Sequence, residues 1–223
     1  MGGMIPLTDA SRRPRRFAAI TTTIILVNAV VFFLELTGGD EFVKQWSVIP
    51  ADIVAGRHWI TILTAMFMHG GWMHILGNMV FLWAFGPEVE DAMSRLGFLT
   101  FYLLSGLTAS LAQIAVMPGS TVPNLGASGA IAGVMGAFLI TYPQDQIRTL
   151  VLFGWFTRVT LVPAALLIGL WFLIQLFSGV GAVADVQTGG VAYMAHVGGF
   201  VFGAVTARIF KSAAARPDSS PWD

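Results

Sequence analysis

Six apolar stretches run along the chain, at Phe17–Leu36, His69–Gly86, Leu96–Met117, Gly126–Tyr142, Thr160–Phe177 and Gly190–Phe210. At 1.5 Å rise per residue, each reads as a helix crossing a hydrocarbon core of about 30 Å. The pattern predicts an all-α, polytopic bundle of six helices. Two connections, Pro118–Leu125 and Ser178–Gly189, are short and rich in Gly, Pro and Ser, which marks turns. Thr37 to Met68 is a longer loop with aromatics of its own and an expected interfacial helix. The segment "RTLVLFGWFTR" from Arg148 to Arg158 is too short to span and reads as an interfacial loop. Residues 1–16, ending in "SRRPRR", form a basic tail, residues 17–211 the membrane domain, and residues 212–223 a polar C-terminal tail. No long-period repeat and no second domain is evident.

Composition sharpens this picture. Hydrophobic residues make up 56% of the 223 and charged residues 11%, with a mean hydropathy of +0.75. So few charges cannot cover the surface of a soluble domain of this size. The zero net charge argues against a nucleic-acid partner. The absence of Cys removes disulfides, thiolate metal sites and a cysteine nucleophile. The apolar run after the arginines is too long for a cleavable signal, and no small-residue cleavage site follows it. With six spans, Arg12, Arg13, Arg15, Arg16, Arg95, Arg148, Arg158, Arg208, Lys211 and Arg216 share one side; only Lys44 and Arg57 lie on the other. That asymmetry puts both termini in the cytoplasm. A five-span arrangement would move Arg208, Lys211 and Arg216 outside. The expected location is a bacterial inner membrane.

Spans two, four and six all enter from the outer face, and their first turns carry the polar residues: His69, His74 and Asn78, then Ser128, then His196. Polar groups inside spans are costly and mark function. His196, Gly199, Gly203 and Ala207 share one helix face, and Gly126, Gly129, Gly133 and Gly136 form a matching row. Small residues at these spacings let two backbones approach closely. Packing of span four on span six would bring Ser128 to His196. His74 and Asn78 are i, i+4 neighbours, whereas His69 lies about 140° around the helix from His74.

A serine hydroxyl needs a base to become a nucleophile, and acyl transfer needs donors aimed at the developing oxyanion. His196 is the natural base for Ser128. The Ser128 N–H, the Asn78 amide and a His74 N–H could serve as the donors. No Asp or Glu is placed to orient His196, so the imidazole would be held by packing. Each residue also has a plainer reading: Ser bonding back to a carbonyl, His satisfied in a core, Asn as interhelical glue. "GASGA" lacks the second Gly of the hydrolase elbow, and no strand precedes it. A metal centre on His69, His74 and His196 is opposed by the missing H-E-x-x-H and by the His69–His74 spacing. A transporter is opposed by the lack of an inverted repeat.

The segments "HGGWMHILGNM" (His69–Met79), "GASGAIAGVMG" (Gly126–Gly136) and "GGVAYMAHVGGFVFG" (Gly189–Gly203), with "FGPEVED" and "FYLLSG", resemble the rhomboid intramembrane serine proteases in order, spacing and span parity. The resemblance implies Ser128 as nucleophile, His196 as general base, and His74 and Asn78 as oxyanion ligands. It implies supporting roles for His69 in the first outer loop and for Gly126 and Gly129 at the turn presenting Ser128. Gly199 and Gly203 would pack the base-bearing helix, and Glu90 would make a structural contact on the cytoplasmic side. The implied substrates are single-span membrane proteins cut near the outer end of the span, in contact with lipid, without metal, nucleotide, nucleic acid or cofactor. The alternative is a catalytically silent rhomboid-like protein that binds membrane clients. The chain departs from such proteases twice. Trp59-Ile60 stands where Trp-Arg is common, and Ala132 stands where a Tyr stacks on the catalytic His.

Overall fold

The computed structural model describes residues 2–153, 155–184 and 192–212. Six helices of 14 residues or more dominate the described residues: α1 (Ala19–Trp46), α4 (Trp72–Ala92), α5 (Arg95–Val116), α6 (Ser128–Thr141), α7 (Ala164–Ala184) and α8 (Tyr193–Phe210). The short helices α2 (Pro50–Val54) and α3 (Thr61–Thr64), the latter followed by a 3₁₀ turn at Ala65–Phe67, fold the loop between α1 and α4. Among the described residues three helices, α1, α5 and α8, are long and apolar enough to cross a membrane, and α6 and most of α7 are shorter apolar helices.

The architecture corrects several expectations. The chain is not all-α, because β1 (Gly2–Asp9), β2 (Gln146–Phe153) and β3 (Phe156–Pro163) form an antiparallel sheet in the order β1-β2-β3. The segment expected as an interfacial loop, Arg148–Arg158, is therefore a hairpin, with Phe153 paired to Phe156. β-branched residues recur through it (Ile147, Thr149, Val151, Val159, Thr160 and Val162), and these favour strands. The first residues of the expected basic tail at 1–16 add the third strand, with a register shift between Pro6 and Thr8 on an edge that tolerates proline. Residues 160–163 belong to β3, so α7 begins at Ala164 rather than at Thr160. Helix α1 runs past Leu36 to Trp46, interrupted only at Gly39, whose φ of 63° is left-handed. The part of the Ser178–Gly189 connection beyond Ala184, the expected start of span six at Gly190, and the tail after Ser212 lie outside the described residues.

One end of the bundle gathers the sheet, the start of α1, and the α4–α5 and α8 ends. Glu90 of α4 caps α1 in trans: its carboxylate accepts from the Ile20 N–H (3.0 Å), the Thr21 N–H (2.8 Å) and the Thr21 hydroxyl (2.8 Å). Two of the orphan donors of a helix start are thereby satisfied. Ser94 caps α5 through the Gly97 N–H at 3.0 Å, and Met93 bridges Lys211. Arg12 bonds Asp145 and lies 3.7 Å over the Tyr142 ring, and Arg15 pairs with Asp91 at 3.0 Å.

At the centre, α6 and α8 touch backbone to backbone. A Cβ built on Gly199 would collide with the Gly129 carbonyl, one on Gly203 with the Gly133 carbonyl, and one on Gly136 with the Phe200 carbonyl. Every residue of α6 from Gly129 to Phe138 is buried, packed between α8, α5 and α4.

Two outcomes are expected. Gly203→Leu forces α6 and α8 apart and should lower stability in detergent by at least the ~1–3 kcal/mol typical of overpacking. Gly169→Leu, where nothing lies within 4 Å, is the control; equal thermal unfolding midpoints for the two variants would contradict close helix contact. At the sheet, burial and then the neighbouring Asp145 push the Asp9 carboxyl from 3.8 up to about 7. The docked strand thus holds a proton that the free strand releases, so docking weakens as pH rises from about 4 through 7. Hydrogen exchange of the β1 amides, corrected for intrinsic rate, should show more protection at pH 5 than at pH 8, and Asp9→Asn should abolish the difference.

Candidate active site

The loop before α6 is pinned from two sides. Val48 and Asn124 exchange backbone hydrogen bonds at 3.0 and 2.7 Å, and the Gly126 N–H donates to the Ala65 carbonyl at 2.9 Å. Gly126 has φ 134°, and a Cβ there would lie 2.9 Å from His74 Nε2. Glycine is therefore required both by the backbone and by the imidazole beside it. Ser128 is the first residue of α6, behind Ala127, which provides no side-chain cap. The Ser128 N–H has no partner within the helix.

Across the α6–α8 contact, Ser128 Oγ and His196 Nε2 are 2.7 Å apart. His196 is buried at 8% exposure. Its other ring nitrogen, Nδ1, lies 2.7 Å from Gln175 Oε1 on α7. Trp171, one turn earlier on α7, has its ring centroid 5.8 Å from that of His196, tilted by 40°. The imidazole is thus not held by packing alone, and Trp171 covers the ring that Ala132, fully buried in α6, does not reach as a stacking partner. Gln175 and Trp171 escaped the sequence reading. A signal was present, because Gln175 is the single polar side chain in the run Ala164–Phe177.

The expected donors line the same cavity of about 610 Å³ as Ser128, His196, Gln175 and Trp171. His74 Nδ1 accepts from the Gly70 N–H at 3.3 Å, which leaves the proton of the neutral ring on Nε2, the nitrogen beside Gly126. Asn78 is buried and its Nδ2 has no hydrogen-bond partner. A buried, unspent donor is costly to leave unmade, and here it borders the space next to Ser128.

His69 stands apart from these groups. It precedes α4 instead of opening it, since the helix starts at Trp72. Its backbone N–H donates to both carboxylate oxygens of Glu35 on α1, each at 3.0 Å, and its ring stands edge-on to His74 at 5.1 Å. Glu35, the one charged residue of Phe17–Leu36, is the second group the sequence reading passed over. Gly129, Gly199 and Gly203 lie at the α6–α8 contact. Among the described residues, no group of three or more His, Asp or Glu side chains is placed to hold a metal ion.

The family model of the Rhomboid domain matches residues 56–213. Rhomboid protease GluP of Bacillus subtilis (strain 168) is 34% identical over 123 residues, 53% of this chain and 24% of that protein. Rhomboid protein 1, mitochondrial, of Saccharomyces cerevisiae is 28% identical over 209 residues, 89% of this chain and 54% of that protein. Rhomboid-like protein 11, chloroplastic, of Arabidopsis thaliana is 28% identical over 161 residues, 70% of this chain and 55% of that protein. The chain thus spans from about a quarter to just over half the length of these curated relatives. A match over most of the chain, on a bundle of apolar helices, places this protein in the rhomboid family of integral membrane proteins.

Proposed function

We propose that the protein is an intramembrane serine endopeptidase that hydrolyses a peptide bond in or near the membrane segment of single-span proteins. The observation that carries this reading is the 2.7 Å approach of His196 Nε2 to Ser128 Oγ, in a cavity that also holds the unspent Asn78 donor. In this mechanism His196 Nε2 takes the Ser128 proton as Oγ attacks the substrate carbonyl carbon. The oxyanion forms between the Ser128 N–H, the Asn78 amide and His74 Nε2–H. His196 then passes its proton to the leaving amine nitrogen, the C–N bond breaks, and a serine ester remains. Water, deprotonated by His196, then attacks the ester carbon; His196 returns that proton to Ser128 Oγ as the C–O bond breaks, releasing the acid and restoring the serine. A substrate helix must unwind locally before its carbonyl can enter, because an intact helix keeps that carbonyl bonded within its own turn.

All six long helices are read as spans, with the sheet end and both termini in the cytoplasm. The ten-to-two distribution of Arg and Lys supports this orientation. It turns the cavity toward the extracytoplasmic face, in what is read as a bacterial inner membrane. His69 and Glu35 then brace the first outer loop against α1. A silent, client-binding protein is less well supported, since both reacting groups are present and in contact.

Purified protein in detergent should cleave at least one member of a panel of tagged single-span proteins. Ser128→Ala and His196→Ala should abolish cleavage, and Asn78→Ala should slow it by roughly 10²-fold or less because other donors remain. Cleavage that persists at full rate in Ser128→Ala would reject the mechanism. A serine-directed phosphonate should label Ser128 in the folded protein and lose that labelling on denaturation.

A further inference from the structure

The α6–α8 contact brings the reacting groups together without fixing the rotation or the tautomer of the imidazole. A neutral imidazole carries its proton on either nitrogen. Only the form with the proton on Nδ1 leaves a lone pair on Nε2 for the Ser128 hydroxyl. We infer that Gln175, with Trp171, is a positioning element supplied by α7, which holds His196 in the tautomer and ring orientation that the base requires. The inference rests on the proteolytic reading given above.

Three observations carry it. Gln175 Oε1 lies 2.7 Å from Nδ1, so an N–H there has an acceptor while Nε2 faces Ser128 at the same distance. Trp171 and Gln175 are i, i+4 neighbours, so one face of α7 both bonds Nδ1 of His196 and sets an indole beside its ring. No carboxylate lies within bonding distance of the imidazole among the described residues, and Ala132 is too short to stack on it. An amide suits a site this deep. It supplies an acceptor without a second buried charge, which an unpaired carboxylate would bring at a large desolvation penalty. Gln175 touches neither the substrate carbonyl nor Ser128 and acts only through His196.

The test joins kinetics to ¹⁵N NMR of histidine-labelled protein in detergent. The His196 signals are assigned by their loss in His196→Gln. In the wild type the neutral ring should carry its proton on Nδ1. Gln175→Met, of similar length but without the acceptor, should mix the tautomers and lower kcat by about 10²-fold, with KM changed less than about twofold and the unfolding midpoint close to wild type. Gln175→Glu keeps an acceptor and should restore the Nδ1–H form and bring kcat to within about tenfold of wild type. A wild-type ring protonated on Nε2 overturns the inference. So does a Gln175→Met protein with an unchanged tautomer, whether its kcat is lost or kept. If the wild type cuts nothing in the panel, the proteolytic reading fails by itself, and the spectra still decide whether Gln175 holds the ring.

Discussion

The structure depends on two helices whose backbones meet because neither carries a side chain at the meeting points. Gly129, Gly133 and Gly136 on α6 face Gly199, Gly203 and the Phe200 carbonyl on α8. Inside a membrane, burying apolar side chains between helices gives little advantage over leaving them in lipid. Association there relies on dispersion contact and on close approach. Removing side chains from one seam shortens the distance between helix axes, and one end of the seam then carries Ser128 and His196. The closeness of Ser128 and His196 follows from this spacing, with no flexible loop interposed between them.

Away from that seam, two buried carboxylates are spent on backbone donors of other segments. Glu90 satisfies the start of α1, and Glu35 holds the turn at His69. Each links two parts of the chain distant in sequence, and each converts an expensive buried charge into a charge-assisted hydrogen bond. The two carboxylates thereby tie down the start and the middle of α1, although that helix is exposed along most of its length.

Much of this was legible in the residues. The rows of glycine on spans four and six predict their contact, and the depth of Ser128 and His196 predicts their meeting. The sheet was not legible, for a physical reason. A short apolar run suits a strand, a buried helix turn or an interfacial loop equally, and the partner of β1 lies roughly 140 to 150 residues away in the chain. The start of α4 at Trp72 lies later than the expected His69 because the backbone turns through His69, Gly70 and Gly71 before the helix begins. Gln175 was visible as a lone polar residue in span five. Which neighbour it would meet depends on the rotation of α7 about its axis, and an apolar helix with a weak amphipathic pattern does not encode that rotation in its sequence.

The pairing of β1 with β2 has a consequence for biosynthesis. The first strand emerges from the ribosome long before its partner, and at about 5–20 residues per second the delay is roughly 7–30 s. Through that interval the first strand waits without its ladder while α1 to α6 are made. Its docking is then a late latch, closed only when the hairpin between α6 and α7 has been translated.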